Sequence, residues 1–208
     1  DCNTLQEAVD WVHEEDRLTT IVVGKGEHHI DSLFLKIFSA MNIVGDPGVP
    51  KEKIVVVGGI WFKEGIQGNC HLQHLTLRQA KQCGVFGHSS FMMDDVLVEQ
   101  CGLSGVIASG AAVVGRCTNV EVRQCGWSGV VADNGASVTL IGAKTTVHHN
   151  CAKGNRGEYG LKVYGSFSST IHLLSPLTKE QVAIENGGGG NWGAERGADI
   201  HRIKTIAQ

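Results

Sequence analysis

Two stretches of the chain state one pattern. Val96-Leu97-Val98-Glu99-Gln100-Cys101-Gly102-Leu103-Ser104-Gly105-Val106-Ile107-Ala108 returns as Val120-Glu121-Val122-Arg123-Gln124-Cys125-Gly126-Trp127-Ser128-Gly129-Val130-Val131-Ala132, which sets Cys101 and Cys125 24 positions apart. A repeat of that length is one supersecondary unit that cannot bury its apolar face alone, so the copies must stack into a solenoid. Each copy holds three short apolar runs separated by turn residues. In the second copy they are Val120 to Arg123, Gly129 to Ala132 and Ala136 to Leu140, with Asp133-Asn134-Gly135 as one of the turns. Such runs are strand length and rich in β-branched residues. Three strands per repeat describe one coil of a three-sided parallel β-helix, each strand hydrogen-bonded to its equivalent about 4.8 Å away in the next coil. Parallel crossovers are right-handed almost without exception, so the predicted fold is all-β, a right-handed three-sided parallel β-helix.

A solenoid exposes apolar core and unpaired strand edges at its ends, and these need covering. Thr4-Leu5-Gln6-Glu7 is a capping box, and Leu5, Ala8, Val9 and Val12 follow at helical spacing with Asp10, Glu14 and Glu15 toward water. Residues 4 to 15 therefore read as a helical cap over the first coil. The whole chain reads as one domain: 1–18 the helical cap, 19–175 the coils, 176–208 an irregular C-terminal closure. Within the closure we expect a short helix in 177–186, a flexible hinge at Gly187 to Gly190, and a final strand from Ala198 to Ile206. The interval from Gly129 to Gly160 is 31 residues against 24 for Gly105 to Gly129, which marks an inserted loop on the rim.

The first coils carry strands that end in glycine. A helix written TLQEAVD (Thr4 to Asp10), then TIVVGKGEH (Thr20 to His28), then IVGD (Ile43 to Asp46) and IVVVGG (Ile54 to Gly59), resembles the opening of the right-handed parallel β-helix superfamily called pectin-lyase-like. The resemblance implies the fold over nearly the whole chain. That superfamily holds polysaccharide lyases, hydrolases and epimerases, viral tailspikes and β-helix domains of adaptor proteins, so activity must be argued from the site.

Charge excludes some classes. The net charge is −3 with no basic stripe, so nucleic acid is not an expected partner. No run approaches 18 consecutive apolar residues, so no membrane partner is expected. Seven cysteines, an odd number without a CxxC pair, argue against a disulfide framework or a zinc site and point to a reducing, intracellular compartment. Secretion is left open, because the chain opens on Asp1 and a signal peptide or larger upstream region is expected to have been lost. Cys83, Cys101, Cys125 and Cys151 read as one repeat position, a stack of small buried side chains at a corner.

In-out alternation places Leu75, Leu77, Val96, Val98, Val120 and Val122 inside, leaving Arg78, Glu99, Arg123 and His148 outside as one ladder. It reads either as surface charge complementarity or as a groove for an acidic polysaccharide, in which case these four are the candidate catalytic residues. The second candidate is the inserted loop, with Arg156, Glu158 and Tyr159 beside Trp127 of the preceding coil. An aromatic next to Arg and Glu can stack on a sugar ring and bond its hydroxyls; alternatively they are an Arg–Glu surface pair and a Tyr covering the core. His71 with His74, and His148 with His149, should point to opposite faces, so no metal site is expected. No cofactor is expected, and Ca²⁺ enters only under a lyase reading, which would need carboxylates gathered on adjacent coils. Asp94 and Asp95 are adjacent on one strand and Asp133 reads as a turn residue, so that gathering is not visible. The function expected is a binding or scaffold module for a protein or polysaccharide partner, with a polysaccharide lyase as the alternative.

Overall fold

The computed structural model describes residues 2–15, 19–165 and 168–207. The chain winds through three parallel sheets in strict rotation, giving an eight-stranded first sheet, a seven-stranded second and a seven-stranded third. This is the right-handed parallel β-solenoid expected, and a helix at Leu5–Glu14 closes its first coil. The Thr4 hydroxyl accepts the Glu7 N–H, and Leu5, Val9 and Val12 are buried on the core. Asp1 and residues 16–18, assigned to the cap above, lie outside the described residues.

Alternation fixes what is inside. The first sheet stacks Ile21, Ile43, Leu72, Met93, Cys117, Leu140 and Leu173 inward. The second stacks Val56, Leu77, Val98, Val122, Val147 and Ala183. The third stacks Leu35, Ile60, Val85, Val106, Val130 and Leu161. All are buried in one continuous core. Each large aliphatic so buried gains about 1.5–3 kcal/mol over exposure, and a one-residue slip in any coil would turn its whole set outward.

The corners need backbone that L-residues rarely adopt. His74, Asp95 and Asn119 turn the chain from first sheet to second, and Gln79, Gln100, Gln124, His149 and Glu185 from second to third, all with φ between 51° and 56°. One left-handed residue per corner bends the strand and resets its in-out phase. The residue after each second corner points inward, so Ala80, Cys101, Cys125, Asn150 and Asn186 form one interior stack.

This corrects the cysteine reading. Only Cys101 and Cys125 share a repeat position. Cys83 precedes Cys101 by 18 residues while the coil there advances from Val85 to Val106, so Cys83 matches Ser104 and Ser128 instead. Cys151 falls one past the inward position, which Asn150 takes. All seven thiols are free.

The C-terminal segment, expected to be an irregular closure, instead runs a further coil. Ala183–Ile184, Trp192–Glu195 and Ile203–Ile206 add one strand to the second, third and first sheets. A short helix does occur, at Lys179–Val182, with a capping box at Thr178 and Gln181. The strand expected over Ala198 to Ile206 begins only after a 3₁₀ turn at Ile200–Arg202. Nor is Gly187 to Gly190 a hinge. The Gly189 N–H donates to the Glu158 carbonyl at 2.8 Å, and a Cβ on Gly189 would stand 2.4 Å from the Tyr159 ring. Glycine is needed there for close approach, which pins the segment.

Candidate functional site

The second sheet gathers the ladder read from the sequence. Arg78, Glu99, Arg123 and His148 occupy one outward register position on four successive strands. Arg78 Nε donates to Glu99 Oε1 at 2.6 Å. Arg123 donates to Glu99 Oε2 from Nε at 2.9 Å and from Nη2 at 2.8 Å. Its Nη1 reaches Glu121 Oε1 at 2.8 Å, and that oxygen also takes His148 Nε2 at 3.1 Å. Glu99 is thereby closed in, at 3% exposure. Burial alone would raise its carboxyl, but hydrogen bonds from Arg123 and Arg78 outweigh that and hold it below the usual range. A carboxylate so held stays ionised and is a poor proton donor, and it is met by Arg78 through Nε and by Arg123 through Nε and Nη2.

The structure divides the four residues read as a sugar site between the interior and the rim. Glu158 is only 8% exposed and turns inward, accepting from Ser128 Oγ at 2.6 Å and from Lys162 Nζ at 3.0 Å. Lys162, equally buried, replaces the expected Arg156 as its partner. The Tyr159 ring lies over Gly189 and Gly193, and its hydroxyl donates to Glu195 Oε1 at 3.4 Å. Burial first, and Glu195 second, raise its phenol. Trp127 and Arg156 remain exposed on the rim.

The third sheet carries a face that sequence reasoning missed. Trp61, Phe86, Ile107, Val131 and Lys162 share one outward register position. Trp61 and Phe86 stack at 5.7 Å, Phe86 lies 4.4 Å from the His88 ring, and Trp61 Nε1 donates to His88 Nδ1 at 3.3 Å. Lys63 Nζ sits 3.5 Å from the Trp61 ring centre, a cation–π contact that covers it. Two residues further along each strand, Ser109, Asp133 and Tyr164 are in register.

Asp133 is therefore the last residue of a strand, Val130–Asp133, and not only a turn former. Its Oδ2 accepts from Asn134 Nδ2 at 2.9 Å and from Ser109 Oγ at 3.3 Å. Its Oδ1 is buried with no hydrogen-bond partner among the described residues. Burial raises this carboxyl, against the Asn134 N–H, Ser109, Lys162 and His88. The available signal was the repeat itself, since Ser109 recurs as Asp133 one coil on.

Among the described residues no group of three or more His, Cys, Asp or Glu is placed to hold a metal ion. His74 turns to Asp95 Oδ2, at 2.7 Å from its Nδ1, and Lys51 Nζ meets Asp95 Oδ1 at 2.6 Å. His148 and His149 depart from the opposite faces expected of them. His149 is a left-handed corner residue, and the two Nδ1 atoms stand 2.7 Å apart. A cavity of about 390 Å³ lies elsewhere, between the N-terminal helix and the first strand, lined by Leu5, Ala8, Trp11, Val22 and His28 among others.

Compared with known proteins, the chain matches no family model, no curated protein and no solved structure. What the fold itself defines is the class, a parallel β-solenoid.

Proposed function

We propose that this chain is a non-catalytic binding module that presents the outward faces of its solenoid to a protein or glycan partner. The observation that carries this reading is the engagement of the Arg78–Glu99–Arg123–Glu121–His148 ladder with itself. A lyase of the pectin-lyase-like kind needs carboxylates free to gather Ca²⁺, which takes six to eight oxygens, and a base free to take a proton. Here Glu99 and Glu121 face Arg and His, and Asp95 faces Lys51 and His74. The residues present do not fit that ion. Long, rigid, regularly spaced surfaces of this kind suit partners that are themselves extended.

One observation favours the alternative, a polysaccharide-active enzyme of pectin-lyase-like type. Asp133 keeps a raised carboxyl with one unpartnered oxygen, in register with Ser109, a setting that favours the protonated form an acid needs. The two readings separate on turnover. The purified chain, incubated with acidic and neutral polysaccharides with and without Ca²⁺, is expected to release no unsaturated or reducing ends while retaining binding to a partner. Turnover abolished by Asp133→Asn would give the alternative its acid.

A further inference from the structure

Two ladders meet at one corner of the sixth coil. His148 ends the outward ladder of the second sheet, and His149 belongs to the corner series Gln100, Gln124, His149, Glu185. Left-handed backbone at His149 turns its ring back onto its neighbour. The Nδ1 atoms stand 2.7 Å apart, and the ring centres are separated by 5.0 Å, which is that gap plus one ring radius on either side. The two nitrogens therefore face head-on. Each ring is held from behind by a carboxylate: His148 Nε2 lies 3.1 Å from Glu121 Oε1, one coil back, and His149 Nε2 lies 2.9 Å from Glu185 Oε2, one coil on.

The protons can be counted. A carboxylate only accepts, so both Nε2 atoms carry hydrogen, and a single proton fits between the two Nδ1 atoms. A proton placed between the two Nδ1 atoms would lie between two rings that are each backed by a carboxylate. Carboxylate to Nε2–H with the opposite nitrogen left as donor is the arrangement that orients histidine toward a metal. Here it occurs twice, mirrored across one point.

We propose that the His148–His149 pair is a binding site for a monovalent, two-coordinate d¹⁰ metal ion, Cu⁺ in its biological form, which takes the place of the shared proton. The exchange is balanced: one Cu⁺ enters, one proton leaves from between the Nδ1 atoms, and both Nε2–H bonds to Glu121 and Glu185 persist. One positive charge enters and one leaves. A divalent ion fits less well. It would add a charge and require further ligands, and among the described residues no third His, Cys, Asp or Glu joins the pair. The head-on approach matches linear coordination and opposes the bent angles of tetrahedral or square-planar sites. Holding an ion at about 2.0 Å from each nitrogen asks each ring to withdraw by roughly 0.6 Å. His149 and Glu185 have side chains 55% and 68% exposed, so that edge is free to move and the ion can enter from solvent.

The test uses the full chain under anaerobic, reducing conditions, with Cu⁺ delivered from a chelator buffer and Ag⁺ as an air-stable probe. Histidine ¹⁵N resonances and X-ray absorption are read together. The expected result is one ion per chain with two nitrogen neighbours, and movement of the Nδ1 signals of His148 and His149. Binding is expected to be lost in His149→Asn, which keeps the left-handed corner, to weaken about tenfold in Glu185→Gln, and to be unchanged in Cys2→Ser. Sulfur neighbours, unchanged stoichiometry in His149→Asn, tighter binding of Zn²⁺ at the same nitrogens, or no binding at all would overturn the proposal.

Discussion

Asn150 holds, one coil on, the interior corner that Cys125 holds, and its Oδ1 accepts the Cys125 backbone N–H at 3.1 Å. Its Nδ2 donates to the Val122 carbonyl and to Asn186 Oδ1, each at 3.0 Å. The stack thus changes from thiols to amides where the inserted loop begins. There the amide satisfies the Cys125 N–H and the Val122 carbonyl of the coil before.

Asn150→Ala removes these bonds at a site that is only 1% exposed. Loss of about 2–4 kcal/mol of unfolding free energy is expected, from backbone donors and acceptors left bare. Urea denaturation monitored by circular dichroism checks it, and a loss below about 0.5 kcal/mol would deny the amide stack its role.

Glu99 is buried between two guanidinium groups, so Glu99→Ala is expected to cost about 2–3 kcal/mol, less than a wholly buried pair because Arg78 and Arg123 reach solvent. Its folded pKa lies below the unfolded value. The stabilisation is therefore present above about pH 4.3 and is lost as pH falls through the folded pKa. Stability measured from pH 6 down to pH 3 should fall less steeply in Glu99→Gln than in the parent.

His74 titrates with the opposite sign. Its hydrogen bond to Asp95 raises its pKa, helped by the Val49 carbonyl. The stabilisation is complete below about pH 6.5 and disappears as pH rises through the folded pKa. His74→Asn, which tolerates the left-handed corner, should flatten the stability profile between pH 6 and pH 9. A slope unchanged in the variant would place the titration elsewhere.

Cysteine reactivity should separate by burial. Desolvation pushes the Cys70 and Cys83 thiols up to about 11 and those of Cys117 and Cys151 up to about 12. Cys101 and Cys125 are buried as well, while Cys2 is half-exposed. Disulfide-exchange titration at pH 8 should find one fast thiol in the native chain and seven after unfolding. Loss of the fast thiol in Cys2→Ser identifies it.

The sequence made the coil legible because the repeat fixes period and phase together. Leu77, Val98 and Val122 could be placed inside, and Arg78, Glu99, Arg123 and His148 on one register line, from alternation alone. Legibility ended at the corners. A left-handed residue resets the phase, so His149 swung toward His148, while uneven coil length put Cys83 and Cys151 out of the cysteine stack. It also ended where coil length drifts: the last coil, past Pro176, lacks the Cys-Gly signature and reads as irregular although it supplies three strands. Glu158 was misplaced for a further reason. Its buried partner Lys162 lies across the loop in the next strand, and nothing in residue spacing gives the direction in which a loop side chain turns. The aromatic face of Trp61, Phe86 and His88 needed the lateral register of two coils, which the irregular early repeats conceal.

The claim at the centre is that the outward carboxylates serve structure and binding and not bond cleavage. The most direct measurement is end-product release from a panel of acidic polysaccharides by the parent chain, Arg123→Ala and Asp133→Asn, with and without Ca²⁺, read as unsaturated-product absorbance and reducing ends. No release by any of the three, with the parent folded and cooperative in denaturation, is the expected result. Release by the parent that either substitution abolishes would contradict it and make the solenoid an enzyme.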